Sequence, residues 1–306
     1  MSTVRALVVG SLVMDLSFQV PKRPEPGEVI LADSFGTYRG GKGYNQAVAL
    51  ARLGASVTMI GALGADAYGD EFIASLDREG IDTLRMVRLP QSFTSIAVPL
   101  VTPDGDVGFV HAQGANAELR PDHCRDLPDA DVLLLQGEIP LDTSLAVAQQ
   151  ASRQGTIVIL NPAPVHHVTA GLIATADIIV ANEVEALALL ETPATSRADP
   201  LDLAQKLATD GRIAVVTLGA RGAVWSDGTS SGRATPPNVT AVDATAAGDS
   251  FCAALALAFV EGQRLADAVR FACAAGAHAA TVRGAEPGLP TRKQVDALLN
   301  EPKRSS

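Results

Sequence analysis

Asp243-Ala-Thr-Ala-Ala-Gly-Asp-Ser250 runs without a break into Phe251-Cys-Ala-Ala-Leu-Ala-Leu-Ala-Phe259, and the junction of the two decides how the chain is read. The second part is an apolar run of good helix formers. The first is a string of small residues that delivers the backbone to a helix N-terminus. Such a junction leaves N–H groups unpaired at the positive end of the helix dipole, so the loop can hold an anion such as a phosphate. Asp249 lies inside this anion site, where a carboxylate would repel a phosphate. Two readings of it stand on the residues alone. It can be a general base for a hydroxyl that attacks the phosphate, or an aspartate that caps the helix beside a turn glycine.

A second glycine-rich turn opens an amphipathic helix at Gly40-Gly-Lys-Gly-Tyr-Asn-Gln-Ala-Val-Ala-Leu-Ala-Arg-Leu-Gly54. It has neither the G-x-x-x-x-G-K-[ST] spacing of a Walker A loop nor the G-x-G-x-x-G dinucleotide fingerprint. Together the two motifs resemble the ribokinase branch of the PfkB carbohydrate kinases, in which the early motif reads G-G-K-G-x-N-Q-A-V-A and the late one D-T-x-[GA]-A-G-D. The chain matches the early motif in full and the late one except at Ala244, where the family usually has threonine. The resemblance extends over nearly the whole chain. Gly10–Asp15, Gly61-Ala-Leu-Gly-Ala-Asp-Ala-Tyr-Gly69, Gln136–Pro140, Asn161-Pro-Ala-Pro164, Asn182-Glu-Val-Glu185 and Thr217–Gly222 follow in the family's order.

Short β-branched runs alternate with helical patterns. Leu7–Val9, Val57–Ile60, Val132–Leu135, Ile157–Leu160, Ile178–Val180 and Ala214–Thr217 read as buried parallel strands. Helices are expected over Asn45–Leu53, Asp70–Glu79, Leu141–Gln154, Glu183–Leu190, Asp202–Asp210, Ser250–Glu261, Leu265–Val282 and Arg292–Leu299. This alternation means a parallel sheet covered by helices on both faces. Two stretches break it. Residues 13–38 contain Pro21, Pro24, Pro26 and Gly27, and residues 94–111 read as a hairpin turning at Pro103-Asp-Gly105. Either these are surface hairpins, or together they make a small β lid. Nearly every singled-out motif sits just after a predicted strand, where open α/β sheets bind their ligands. The polar tail 301–306 is expected to be disordered.

The 306 residues carry a net charge of −10, which argues against a nucleic-acid or anionic-membrane surface. Cys124, Cys252 and Cys273 show no metal-ligand spacing. Cys252 and Cys273 fall in alanine-rich helical stretches and read as buried thiols. The N-terminus reads as a strand and not as a signal peptide, and no apolar run reaches membrane-spanning length. A reducing cytoplasm is the expected location.

The resemblance implies an α/β fold, a ribokinase-like three-layer sandwich with a mostly parallel central sheet and a small β-sheet lid, as a single kinase domain over 1–300. It implies ATP-dependent phosphorylation of the primary hydroxyl of a sugar, with D-ribose first. A nucleoside, deoxyribose or a ketohexose is the alternative substrate on the same fold. A non-catalytic sugar or nucleotide sensor is the alternative of another class, and the retained Asp249 argues against it. The implied cofactors are ATP, Mg²⁺ and K⁺, and the implied partner is a second copy of the chain packed through the lid.

Residue by residue, the resemblance makes Asp249 the base, with the N–H groups of Ala246, Ala247 and Gly248 on the transferred phosphoryl group. Asp15, Gly41, Lys42, Asn45 and Glu138 match sugar-binding positions, and Ser11 and Val13 belong to the same first turn. Asn45 is read otherwise as a helix N-cap, Asp15 as a strand-end turn residue and Glu138 as a solvated loop carboxylate. Valine at 13 departs from the G-S-x-N-x-D pattern, in which asparagine contacts sugar hydroxyls. Asn182 and Glu185 share a helix face that could hold a hydrated Mg²⁺, or they form a cap with an acidic first turn. Thr217, Gly219 and Gly222 match a nucleotide-binding turn, and Cys273 an adenine-pocket position or a core thiol. Asp243 and Thr245, with oxygens from Ala279, Val282, Gly284 and Gly288, match a monovalent-cation site. His166, His167 and His278 lie in no catalytic motif.

Overall fold

The computed structural model describes residues 3–195 and 197–300. Its strands are where the β-branched runs lie, because these residues are apolar on both faces and need cover on both. β1 (Arg5–Val9) lies between β4 (Ser56–Ile60) and β9 (Val132–Gln136). Beyond β9 follow β10 (Ile157–Asn161), β11 (Ile178–Asn182) and β12 (Ile213–Thr217), all parallel, with Leu7 opposite both Thr58 and Leu133. Two antiparallel strands, β13 (Ala223–Ser226) and β14 (Ser231–Ala234), complete an eight-stranded sheet.

Alternate residues of each strand enter two separate cores. Val8, Leu134, Ile159, Val180 and Val215 face one, and Leu7, Leu133, Leu160, Ile179 and Val216 the other. The first core is covered by α1 (Lys42–Leu53), α2 (Ala67–Arg78), α7 (Ala247–Val260), α8 (Leu265–Ala279) and α10 (Arg292–Asn300). The second is covered by α3 (Leu141–Arg153), α4 (Ala170–Ile173), α5 (Glu183–Leu189) and α6 (Pro200–Leu207). This is the three-layer arrangement. α7 is apolar nearly all round because it is packed between α1 and α8 over the sheet, and Phe251–Ala258 are all buried.

The stretches that break the alternation form a second sheet. Its strands are β2 (Val13–Gln19), β3 (Ser34–Gly40), β7 (Ile96–Val101) and β8 (Val107–Ala112), in the order β3-β2-β7-β8. β7 and β8 make the expected hairpin, closed by Gly105 N–H donating to the Thr102 carbonyl at 2.9 Å. The sheet runs slightly past the expected ranges, to Gly40 and Ala112. An ionic cluster anchors it. On β3, Arg39 bonds Glu286 at 2.7 Å and also pairs with Glu71 on α2. Glu286 sits in the short α9 (Ala285–Gly288), and its carbonyl accepts from Arg52 of α1 at 2.7 Å.

Several elements differ from the sequence-based expectation. α1, α2 and α7 each begin three residues early, at Lys42, Ala67 and Ala247. Their first turns are built from the polar and glycine-rich motif residues, which carry no apolar periodicity. The β13–β14 hairpin, and the small pair β5 (Ala62–Gly64) with β6 (Val87–Leu89), were not anticipated. All are too short for a period to register. The tail 301–306 lies outside the described residues.

The sheet positions a site in one place. The chain after β1 goes to β4 on one side, while β9 takes up the other, so the carboxyl ends of β1 and β9 part and leave a crevice. The first turn of α1 presses against the turn after β1. A Cβ on Gly43 would lie 2.6 Å from the Gly10 carbonyl carbon and from the Ser11 nitrogen, so only glycine fits there.

Candidate active site

Asp249 occupies the third position of α7, and α1 crosses directly over it. It is 7% exposed, and the capping alternative does not describe it. The helix is capped by Ala246, with no side-chain cap bond. Both carboxylate oxygens are held instead from α1. Asn45 Nδ2 donates to Oδ2 at 2.9 Å and Gln46 Nε2 to Oδ1 at 3.0 Å. Burial pushes the Asp249 carboxyl above the ordinary range, and the Lys42 charge with the two amide bonds pulls the other way. Asn45 is likewise no N-cap. That place belongs to Gly41, whose φ of 92° suits glycine, while Asn45 lies inside the helix with its Oδ1 buried and unpartnered.

The anion loop is a turn with Ala246 in the left-handed region at φ 60°. One part of the expectation is corrected here. The Ala247 N–H is not free, because it donates to the Ala244 carbonyl at 3.1 Å and closes the turn. Among the described residues, the N–H groups of Ala246, Gly248 and Asp249 have no acceptor within reach. Ala246 and Gly248 of the expected trio keep free N–H groups, and Asp249 takes the place of Ala247.

On the crevice side, Ser11 Oγ donates to Glu138, and the Lys42 N–H donates to the same carboxylate at 3.0 Å. Glu138 is therefore fixed by the turn after β1 and the start of α1, and it is not a free loop carboxylate. Asp15 projects from β2 beneath β3, its Oδ2 2.8 Å from where a Cβ on Gly40 would sit. Burial, and next the charge of Glu138, push the Asp15 carboxyl up to about 6. Val13 shares this face of β2 two residues earlier. It is 5% exposed yet belongs to neither core cluster.

On the other side of Asp249 lies a cleft of about 560 Å³, the size of a small-molecule site. Lys42, Asn182, Glu185, Thr217, Gly219 and Gly248 line it. Asn182 and Glu185 form a capping box. Asn182 Oδ1 accepts from the Glu185 N–H at 2.8 Å, and Glu185 Oε2 accepts from the Asn182 N–H at 2.9 Å. This leaves Glu185 Oε1 for the cleft. Burial drives the Lys42 ammonium down, but Asp249, Glu138 and Glu185 outweigh it and hold the lysine charged.

Two expected residues lie elsewhere. Cys273 is 4% exposed in α8, with Sγ 3.8 Å from the Ala234 carbonyl oxygen, and it does not line the cleft. Gly222 is also absent from the lining. Its φ is 89°, and a Cβ there would meet the Ala234 oxygen at 2.0 Å, which explains the glycine by the fold. Cys252, read as a core thiol, is buried and borders the cleft floor. The sequence held no signal for that beyond its place one turn after the anion loop.

The expected cation ligands come together away from the cleft. Asp243 Oδ1 accepts from Thr245 N–H and Oγ1, and Oδ2 accepts from the Gly284 N–H at 2.8 Å. The carbonyls of Ala279 and Val282 converge on Gly288, where a Cβ would lie 2.8 and 3.5 Å from their oxygens. Among the described residues, no three His, Cys, Asp or Glu side chains gather as a metal site.

A buried carboxylate, free helix-start N–H groups and a nucleotide-sized cleft agree with the likeness to known proteins. The family model of the pfkB carbohydrate kinases matches residues 4–292. The chain belongs to the pfkB family of carbohydrate kinases. It is 36% identical to a ribokinase of Bacillus subtilis over 297 residues, 96% of this chain and 98% of the relative. It is 29% identical to a deoxyribokinase of Salmonella typhi over 96% of this chain and 98% of that one. The structure of Arabidopsis thaliana ribokinase complexed with ribose and ATP superposes with a TM-score of 0.88 at 30% identity, covering 98% of this chain and 100% of that one. The kinase places its crevice and its cleft on opposite sides of Asp249. Among its described residues, no helix is long and apolar enough to cross a membrane.

The raised carboxyl of Asp15 makes a prediction about stability. Its folded value of about 6 lies above the ordinary 3.8, so the folded state keeps the proton longer. Stability is therefore lost as pH rises from about 4 through 6. Asp15→Asn should melt above wild type at pH 7, with the gap closing towards pH 4. Thermal melts across this range check it. An equal gap at every pH would show that Asp15 carries no ionisation penalty.

Proposed function

We propose that this chain is an ATP-dependent ribokinase that transfers the γ-phosphoryl group of ATP to the primary hydroxyl of D-ribose, giving ribose 5-phosphate and ADP. The observation that carries the proposal is Asp249. It is buried, both its oxygens are fixed by amides, and it stands between a carboxylate-lined crevice and a nucleotide-sized cleft. Sugar hydroxyls are donors, and Asp15, Glu138 and the unpartnered Asn45 Oδ1 offer acceptors on the crevice side. Ser11, Gly41 and Lys42 shape the same turn.

In this reading the acceptor hydroxyl gives its proton to Asp249 as its oxygen attacks the γ-phosphorus. The bond to the β–γ bridging oxygen breaks, and its electron pair leaves with ADP. Charge on the transferred group meets the N–H groups of Ala246, Gly248 and Asp249 and the dipole of α7, with the Lys42 ammonium beside them. Thr217 and Gly219 would face the nucleotide. Asn182 and Glu185 Oε1 would hold a hydrated Mg²⁺, which neutralises phosphate charge when bound. Asp243 and Thr245, with oxygens of Ala279, Val282, Gly284 and Gly288, fit K⁺, an ion that suits carbonyl ligands. Asp243 also fixes the start of the anion loop.

Val13 favours a second reading, deoxyribose. A valine on the Asp15 face of β2 offers no hydrogen bond to a hydroxyl, and one of the relatives is a deoxyribokinase. A buried hydroxyl left unpaired costs about 1–3 kcal/mol, a roughly tenfold to hundredfold loss of affinity.

The lid favours a homodimer. Val29, Leu31, Phe35, Phe109 and Val110 are 57–91% exposed on the lid and its connector, an apolar surface that a second lid would cover. A cytoplasmic setting suits three unpaired cysteines.

Coupled ADP release on a panel of ribose, deoxyribose, ketohexoses and nucleosides is the test. Ribose or deoxyribose should lead, and Val13→Asn should raise kcat/KM for ribose relative to deoxyribose. Asp249→Asn should lower kcat by about 10²–10⁴-fold with ATP binding retained. Turnover within a few-fold of wild type would remove Asp249 as the base.

Activity should be higher in K⁺ than in Na⁺ at fixed Mg²⁺, through kcat, because the ion shapes the anion loop. Equal rates in the two salts would exclude a specific site.

Sedimentation should give a dimer that Phe109→Glu splits into monomers. A wild-type monomer at assay concentrations would overturn the lid interface.

A further inference from the structure

Asn45 and Gln46 both hold Asp249, but from different situations. Asn45 is 6% exposed and keeps a buried, unpartnered Oδ1, whereas Gln46 is fully buried with its whole amide bonded. Its amide is used at both ends. Nε2 donates to Asp249 Oδ1 at 3.0 Å and, more weakly, to Asn161 Oδ1 at 3.4 Å. Oε1 accepts from Gln136 Nε2 at 2.7 Å. Gln136 closes β9 and fills the space that Gly10 leaves, since a Cβ on Gly10 would lie 2.1 Å from its Oε1. An inverted Gln46 amide would set oxygen against the Asp249 oxygen and nitrogen against the Gln136 nitrogen, so the chain Gln136→Gln46→Asp249 has one direction. Asn161 belongs to β10 and its own amide is spent on the Val180 carbonyl at 2.9 Å, so it cannot replace the Gln46 donor.

We infer that Gln46, oriented by Gln136, is a positioning residue that holds the Asp249 carboxylate as proton acceptor without touching the sugar. This rests on the reading of Asp249 as the base. The two amides divide the work. Asn45 serves one carboxylate oxygen and the substrate, and Gln46 serves the other oxygen alone. The ionisable groups around Asp249 are Lys42 on α1, Glu138 after β9 and Cys252 one turn along α7, with Glu185 of α5 facing Lys42. Lys42 favours the carboxylate and Glu138 opposes it. A bond donated to the charged form favours that form. Loss of the Gln46 donor should therefore make Asp249 harder to ionise.

The test is Gln46→Met, which keeps length and burial but removes the donor. The Asp249 carboxyl carbon-13 resonance, assigned by its loss in Asp249→Asn, is titrated in wild type and variant. Its midpoint should rise by about one pH unit, the size expected for one bond to a charged group. The acid limb of the kcat–pH profile should move up with it, with kcat on that limb falling about tenfold and the KM for sugar changing less than about threefold. Gln136→Met, which frees the Gln46 amide to turn, should shift both in the same direction by less. It also stands in should Gln46→Met fail to fold. An unmoved midpoint in the variants that fold would overturn the inference, even if kcat fell. The midpoint is read without sugar. A shifted midpoint in a protein that phosphorylates no sugar would count against the proposed reaction alone.

Discussion

A carboxylate buried at the first turn of α7 constrains everything around it. Removing Asp249 from water is costly unless its oxygens are bonded, and two amides and a lysine charge offset part of that cost. Those groups all come from α1, so α1 has to cross α7 closely at this height. The crossing in turn requires small residues. Glycine at 43 lets α1 press against the turn after β1, and the alanine-rich sequence of α7 lets it lie between α1 and α8. One buried charge thus fixes the relation of the two helices whose N-termini form the site.

The sheet supplies the other constraint. Because β1 is flanked by β4 and β9, the turns that follow β1 and β9 diverge, and Ser11 and Glu138 meet across the gap. The strands on the far side of β9 end in Asn161, Asn182 and Thr217 and line the cleft. Asp249 stands between the two groups, brought there by a helix packed on the sheet. A transfer between two ligands needs both held against one group, and the switch point of the sheet creates two adjoining sites at no cost to the core. The lid completes the crevice side. β2 carries Val13 and Asp15 on one face, and β3 leads through Gly40 and Gly41 directly into α1. β3 is therefore linked through the chain itself to Lys42 and Asn45. The Arg39–Glu286 bond links the same strand to the loop that contains Gly284 and Gly288.

The family membership and the site geometry bear on different questions. Likeness over residues 4–292 establishes a carbohydrate kinase. In the proposed function, choice among sugars would rest on a few side chains of the crevice, and Val13 is the one that departs from the ribokinase pattern. It sits on β2 and outside both core clusters.

The six parallel strands, the two-sided helical cover, the hairpin at 94–111 and the small-residue start of α7 were readable from sequence. Each depends on local pattern: β-branched runs buried on two faces, small residues before a helix, a Pro-Asp-Gly turn. What tertiary structure decided were contacts between parts far apart in the chain. Asn45 read equally as a cap until α1 was seen to cross Asp249, some two hundred residues later. The Ala247 N–H dropped out of the free set because Ala246 takes the left-handed conformation and the Ala247 N–H closes the turn. Cys273 turned towards β14 and Cys252 bordered the cleft, although both stand in similar alanine-rich helices. Gln46 falls within the early glycine-rich motif, but nothing local marked its bond to Asp249, since a glutamine on a helix is ordinarily a solvated residue. Local pattern determines which face of an element is buried. Which polar groups then meet inside is set by how the helices dock on the sheet, because a buried donor is bonded wherever packing places an acceptor.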